Sequence, residues 1–338
     1  MPSIRQLALA LAAGTAMAAL AGPAMALDEV TFGTNWLPEA EHGGFYQAVA
    51  DGTYEKYGLK VTIEPGGPQK DTRAPLLAGK IQFYMSGNML VPLQAPSQGV
   101  PVLEVAAIFQ KEPQVLLVHP DTPGIDTFAD LAKLPTLFMS QDGFQSYFQW
   151  MKQAYPGFKD EQYKPYNFDP QVFIVDKNSA MQGYITSEPY AVQKAAGFKP
   201  KEFLLADSGF VTPSTMIEVL SDYAAKNPDI VQRFVDASII GWYNYLYGDP
   251  SKGNAAIKAA NPEMTDEYIA YSIAKMKEVG LVDSGVAAEK GIGCFSDDNQ
   301  KTFYDEMAKA KVVPEGVDIS KTYTNQFVCK KVGMDLKK

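Results

Sequence analysis

The sequence predicts an α/β chain folded as two lobes around a ligand cleft. Short apolar runs alternate with helix-spaced patterns through the first two thirds of the chain, the signature of stacked strands and helices. The alternation occurs in two successive units, separated by Pro120 and Pro123. A largely helical remainder then follows, and it is placed back on the first unit.

The opening residues read as an export signal. Arg5 supplies a positive charge, Leu7–Ala21 is uncharged and rich in Ala and Leu, and Ala24-Met25-Ala26 forms a small-x-small site after Pro23. That layout is a cleavable signal peptide over residues 1–26, cut near Ala26-Leu27. The apolar part is short and rich in Ala and Gly for a membrane anchor. No cysteine lies near the cut, so a lipoprotein is not expected. No later apolar run is long enough to span a bilayer. A periplasmic, monomeric protein is the expectation. The formal charge of the whole chain is −9, which argues against nucleic acid or anionic lipid as partners.

Within the first unit, Val30–Trp36 reads as a strand entering a loop, Gly44–Asp51 as a helix and Lys60–Glu64 as a second strand. Pro65-Gly66-Gly67-Pro68 is a turn signal. A helix over Asp71–Ala78 ends at Gly79, Ile81–Met85 is a strand, and Ser86-Gly87-Asn88 turns into a helix over Met89–Gln98. Pro101–Ile108 is a fourth strand. In the second unit, Val115–His119 leads out of the first, Thr127–Lys133 is a short helix, Thr136–Met139 a strand, and Gly143 opens a helix reaching Tyr155. Val172–Val175, Tyr184-Ile185 and Phe203–Ala206 read as strands, with helices over Asn178–Gln182 and Tyr190–Ala196. Beyond these, Asn227-Pro228 starts a helix whose Val231, Val235, Ile239, Trp242 and Leu246 share one face. Thr265 caps another, carrying Ile269, Ile273 and Met276, and Phe303 and Met307 mark a third. Lobe 1 is therefore expected over 27–118 and 213–338 and lobe 2 over 119–212. The chain crosses near His119 and again near Phe210–Ser214, leaving a cleft at the carboxyl ends of the strands.

Candidate contacts come from the loops facing that cleft. Trp36 offers a face for stacking, and His42 can donate to or accept from a heteroatom; a core Trp and a local helix cap are the plainer alternatives. Ser86 and Asn88 stand at a helix start, where free N–H groups and polar side chains can cradle a ligand, or simply cap the helix. Gln141 and Phe144 occupy the equivalent loop of the second unit. Tyr184, Thr186 and Glu188 form the last loop; Glu188 precedes Pro189 and is expected to be held extended, its carboxylate available to a cationic or amidine-like edge. No nucleophile, metal or phosphate motif stands out, and two histidines in the chain leave little for acid–base work at neutral pH. No catalytic residue, metal or cofactor is expected. Cys294 and Cys329 are the two cysteines; one disulfide pinning the C-terminal tail is expected in an oxidising compartment, with two free thiols as the alternative.

These residues also carry a resemblance. Asn35-Trp36, His42, Phe45-Tyr46, Gly52, Tyr54 and Tyr57-Gly58-Leu59, then Leu77–Gln82, Thr186-Ser187-Glu188-Pro189 and Tyr323–Phe327, resemble the thiamine-pyrimidine-precursor binding family. That family includes binding proteins of ABC importers and the fungal hydroxymethylpyrimidine synthase, on the type II periplasmic-binding-protein fold. The resemblance implies two lobes with two crossing segments, and as partners a small-molecule ligand and an ABC permease with its ATPase. The synthase branch carries a cofactor lysine and a substrate histidine where Ser86 and Leu90 stand here, and a cysteine-rich cluster that is absent. Synthase chemistry is therefore not expected; were it present, Lys80 would be the Schiff-base candidate. Among importer relatives of pyrimidines, riboflavin, alkanesulfonates and nitrate, Trp36 with His42 favours a flat nitrogen heterocycle. A sensory module presenting its ligand to a receptor is a further alternative.

Overall fold

The computed structural model describes residues 26–67, 70 and 72–337. The signal-peptide reading thus lies outside the described residues except at Ala26, as do Pro68 of the turn and Asp71 at the expected helix start. Among the described residues, ten strands form two five-stranded sheets with the same plan. The first contains β1 (Asp28–Gly33), β2 (Leu59–Glu64), β3 (Phe83–Asn88), β4 (Val102–Phe109) and β10 (Ser214–Leu220), in the order β2-β1-β3-β10-β4. The second contains β5 (Gln114–Val118), β6 (Thr136–Met139), β7 (Tyr163–Pro165), β8 (Ser179–Tyr184) and β9 (Lys201–Leu204), in the order β7-β6-β8-β5-β9. In each sheet four strands share one direction. The strand that arrives from the other lobe, β10 or β5, inserts antiparallel to both of its neighbours. Two α/β lobes joined by two crossings are what the sequence predicts; the mixed character of the sheets is added by the structure.

Several elements differ from expectation. β5 pairs with β8 and β9, so the first crossing precedes Gln114 rather than lying near His119. Val172–Val175 belongs to a helix, Gln171–Val175, started by Asp169 accepting from the Gln171 N–H at 2.9 Å. Asn178–Gln182 is not a helix; Ser179–Tyr184 is the central strand of its sheet. Ser86, Gly87 and Asn88 complete β3 instead of forming a loop. The helix opened near Gly143 is interrupted at Ser146, where two short helices meet. β7 and β10 were not foreseen. β10 reads as a link because it carries Glu218, a fully buried carboxylate held by both Arg73 nitrogens at 2.7 Å.

Lobe 1 is built around aromatic packing. The helix Pro228–Tyr247 places Phe234 against Phe83, with ring centroids 3.8 Å apart, and Trp242 edge-on to Phe45 and Phe109. Val231, Val235, Ile239, Trp242 and Leu246 are all buried, as their helical spacing requires. Proline at the first turn of this helix and the Thr265 hydroxyl accepting from the Tyr268 N–H set the starts of two helices. The third helix, Asp297–Lys309, departs from a purely lobe 1 placement. Its Phe303 and Met307 join a cluster that also contains Trp150, Phe210 and Leu116, tying the lobes at the crossings. A bond between Cys294 and Cys329, 35 residues apart, fastens the tail.

Gly241 on the helix Pro228–Tyr247 lets the helix Gly43–Ala50 approach. A Cβ there would meet the Gly44 carbonyl oxygen and sit 2.7 Å from the Ala48 Cβ. Gly241→Ala should therefore cost about 3 kcal/mol in a denaturant melt. A loss below about 0.5 kcal/mol would show that the contact yields. The contact matters for function because the residues just before Gly43 form part of the cavity wall.

Candidate functional site

Between the two sheets lies a cavity of about 510 Å³. Lobe 1 contributes Asn35, Trp36, Glu39, His42 and Met85; lobe 2 contributes Gln114, Ser140, Asp142, Gln182, Gly183, Tyr184 and Glu188. At its mouth it continues, past Trp36 and Asp142, into an outer groove that also touches Gln141, Lys70 and Arg73.

The lobe 1 wall is the loop after β1. Its backbone is fixed by Thr34, whose hydroxyl donates to the Trp36 carbonyl at 3.0 Å, and by the Thr72 hydroxyl donating to the Thr34 carbonyl at 2.8 Å. Trp36 stays half-buried, its ring stacked toward Tyr166 at 6.4 Å and edge-on to Phe168 at 6.3 Å. A tight turn, Ala40–His42, then buries Glu39 (4 % exposed), Glu41 (1 %) and His42 (1 %). Glu39 Oε2, both Glu41 oxygens and His42 Nδ1 have no hydrogen-bond partner. Buried polar atoms are ordinarily satisfied, so two such atoms on the wall of a cavity, Glu39 Oε2 and His42 Nδ1, point to a guest.

The lobe 2 wall is built on β8 and its flanking loop. Gln182 Oε1 accepts from the Ser140 N–H at 2.6 Å and from the Tyr147 hydroxyl at 3.0 Å, and Gln114 Nε2 donates to the Gly183 carbonyl at 2.9 Å. Glu188 is not extended before Pro189: it opens the helix Glu188–Ala196. Its carboxylate folds back to accept from the Tyr184 N–H at 2.8 Å and, more weakly, from the Tyr166 hydroxyl at 3.4 Å. A Cβ on Gly183 would sit 2.6 Å from the Glu188 Cβ, so a glycine is needed for this fold-back.

The same loop docks on lobe 1. The Ser187 hydroxyl bonds the Tyr268 hydroxyl at 2.9 Å, and the Ser272 hydroxyl donates to the Thr186 carbonyl at 2.8 Å. The residue that would hold a ligand is thus adjacent to an interlobe contact.

The electrostatics are acidic. Burial raises the Glu39 carboxyl well above its usual range, and the neighbouring Glu41 and Glu188 charges add to the effect. Burial likewise raises Glu41 to about 6 and Glu188 to about 7. Desolvation lowers His42 to about 3, so its ring is neutral near pH 7. Among the described residues, no lysine or arginine lines the cavity. Glu112, on the first crossing, is raised to about 8, chiefly by burial.

Of the residues expected from sequence, Trp36, His42, Tyr184 and Glu188 meet at the cavity. Gln141 lies only in the outer groove. Ser86 is buried with its hydroxyl donating to Glu104 at 2.8 Å, and Asn88 Oδ1 accepts from the Leu90 N–H at 3.0 Å; both side chains are committed within lobe 1. Phe144 packs on Tyr163 and Phe148, with centroids 4.4 and 5.5 Å away. Thr186 lies beside Glu41, with its hydroxyl unpartnered, and does not line the cavity. Sequence reasoning missed Glu39, Gln114, Ser140, Asp142 and Gln182. Glu39 lies three residues from both Trp36 and His42, and Asp142 beside Gln141, but neither carries a local signal separating it from a solvated carboxylate.

Comparisons with known proteins agree with this architecture. A riboflavin-binding protein, RibY, of Chloroflexus aurantiacus is 23% identical over 309 residues, covering 89% of this chain and 86% of that protein. The 4-amino-5-hydroxymethyl-2-methylpyrimidine phosphate synthase of Schizosaccharomyces pombe is 32% identical over 108 residues, 32% of this chain and 30% of that one. The periplasmic aliphatic sulphonate binding protein SsuA of Escherichia coli superposes with a TM-score of 0.60 at 16% identity, covering 87% of this chain and 91% of that chain. The shared fold is that of the periplasmic binding proteins. The NMT1/THI5-like family model matches residues 39–252, more than half of the chain, and this protein belongs to that family.

Proposed function

We propose that this protein is the solute-binding component of an ABC importer, located in the periplasm, and that it captures a flat nitrogen heterocycle by lobe closure. A thiamine pyrimidine precursor is of the right class. The observation that carries the reading is the cavity itself, lined by the aromatic Trp36 from one lobe and by the polar side chains of Gln114, Gln182 and Tyr184 from the other. A ligand touching both walls stabilises the closed arrangement by the difference in its contacts to the two states.

The riboflavin-binding relative supports a heterocyclic guest. A sulfonate or nitrate would need cationic donors, and the arginine at the mouth, Arg73, is engaged by Glu218. The synthase reading is disfavoured because its lysine and histidine positions fall on Ser86 and Leu90, and the Ser86 hydroxyl already serves Glu104.

Calorimetric titration of the mature chain with pyrimidines, flavins, alkanesulfonates and nitrate tests this. At least one heterocycle should bind at micromolar Kd or tighter, about −8 kcal/mol. Binding confined to sulfonates or nitrate would overturn the ligand class.

A further inference from the structure

We infer that the solute is a cation, a heterocycle bearing a fixed or protonated positive charge received by Glu39 and Glu188 with Glu41 behind them. This rests on the solute-binding reading and adds the sign of the ligand's charge.

The argument starts from what each neighbouring element contributes. The turn Ala40–His42 and the residue before it bring two carboxyls and an imidazole. The loop before the helix Glu188–Ala196 brings Thr186 and Ser187 hydroxyls. Tyr166, Tyr245 and Tyr268 face the group from three further elements, and burial raises each phenol, so all three stay neutral. Across the cavity Asp142 adds another carboxylate to the wall.

Among the described residues no lysine or arginine lines the cavity itself; the cation on the helix Glu188–Ala196, Lys194, lines a neighbouring pocket with Glu188, its ammonium 5.4 Å over the Tyr190 ring. Of the two cations in the outer groove, Lys70 donates to the Pro65 carbonyl and Arg73 pairs with Glu218. Glu39, Glu41 and Glu188, gathered with no counter-charge among the described residues of the cavity wall, repel one another and bear the cost of desolvation. Glu39 Oε2, buried on the wall and unpartnered, is an acceptor with nothing to accept from. A cationic guest converts the repulsion into attraction and fills that vacancy. Among the described residues, no set of three His, Cys, Asp or Glu is arranged to hold a metal ion. With Trp36 lining the same cavity, where a cation-bearing ring can gain from an aromatic side chain as well, an organic cation fits better.

Three probes of one ring separate charge from shape: 1-methylnicotinamide (cation), nicotinamide (neutral) and nicotinate (anion), titrated calorimetrically into the full mature chain. At pH 7.5 the cation should bind at least ten-fold more tightly than nicotinamide, and nicotinate should not bind. At pH 5.5, with the carboxyls protonated, the advantage should shrink. Glu39→Gln should shrink it at pH 7.5, with circular dichroism confirming the fold; if that variant does not fold, Glu188→Gln serves the same test. Equal affinity for the cation and nicotinamide, or no binding of the cation, overturns the inference. Nicotinamide binding without a cation advantage removes the charge and leaves heterocycle capture standing. Failure of every heterocycle in the broader panel removes that reading itself.

Discussion

Trp36→Ala should weaken solute binding at least 100-fold while barely changing the melting temperature. The indole is half-buried and borders both the cavity and its outer groove. Its own backbone is held by Thr34 rather than by the ring, so truncation leaves the loop in place. What disappears is the flat apolar surface available to the ligand, and buried Trp anchors commonly carry 2 kcal/mol or more of binding energy. A 100-fold loss corresponds to about 2.7 kcal/mol. Trp36→Phe should recover most of it, because a smaller ring still stacks. Calorimetry with the best heterocycle checks both variants, and unchanged affinity in Trp36→Ala removes this residue from the site.

The unliganded protein should lose stability as the pH rises from about 6.5 to 8, and Glu112→Gln should remove about 2 kcal/mol of that loss. Glu112 is buried on the first crossing. One of its oxygens accepts from the Gln114 N–H at 3.1 Å and the other has no partner. Burial lifts its folded pKa to about 8 from the ordinary glutamate value of 4.5, so between these values the native state holds a proton that the unfolded chain has released. Stability then falls with rising pH across that interval. His42 works in the opposite direction at lower pH: its folded pKa of about 3 lies below the ordinary histidine value of 6.5, which makes stability rise with pH up to about 6.5. Below that point His42 offsets the glutamates, and above it the glutamates act unopposed. Urea melts at pH 6.5, 7.25 and 8 test this; a profile unaltered by Glu112→Gln would show that this carboxyl is already ionised in the fold.

The parts of the fold written in short stretches were legible. The helix Pro228–Tyr247 announces its start at Asn227-Pro228 and its buried face through a regular ladder, and Thr265 caps its helix as its position before Asp266 suggests. The elements that were missed depend on partners far along the chain. β10 contains Glu218, tolerable in a sheet interior only because Arg73, 145 residues away, reaches it. β8 carries Gln182 and Gly183, which weaken any strand pattern, yet one organises Ser140 and Tyr147 and the other makes room for Glu188. Val172–Val175 has the composition of a strand, and Asp169 with Pro170 winds it into a helical turn instead.

The site divides along the same line. Trp36, His42, Tyr184 and Glu188 stand out by residue type in loops that a two-lobed chain must turn toward its cleft. Glu39 became a candidate only once burial and its missing partner were known. Ser86 and Asn88 read as cleft groups because their segment looks like a turn. As the end of β3 their side chains satisfy Glu104 and the Leu90 amide instead.

The central claim is capture without chemistry. Its most direct measurement is high-resolution mass spectrometry of a bound heterocycle recovered after prolonged incubation with one equivalent of the mature protein. The account predicts one molecule per chain, returned with its mass unchanged. A recovered species of altered mass, formed in proportion to protein and time, would contradict it.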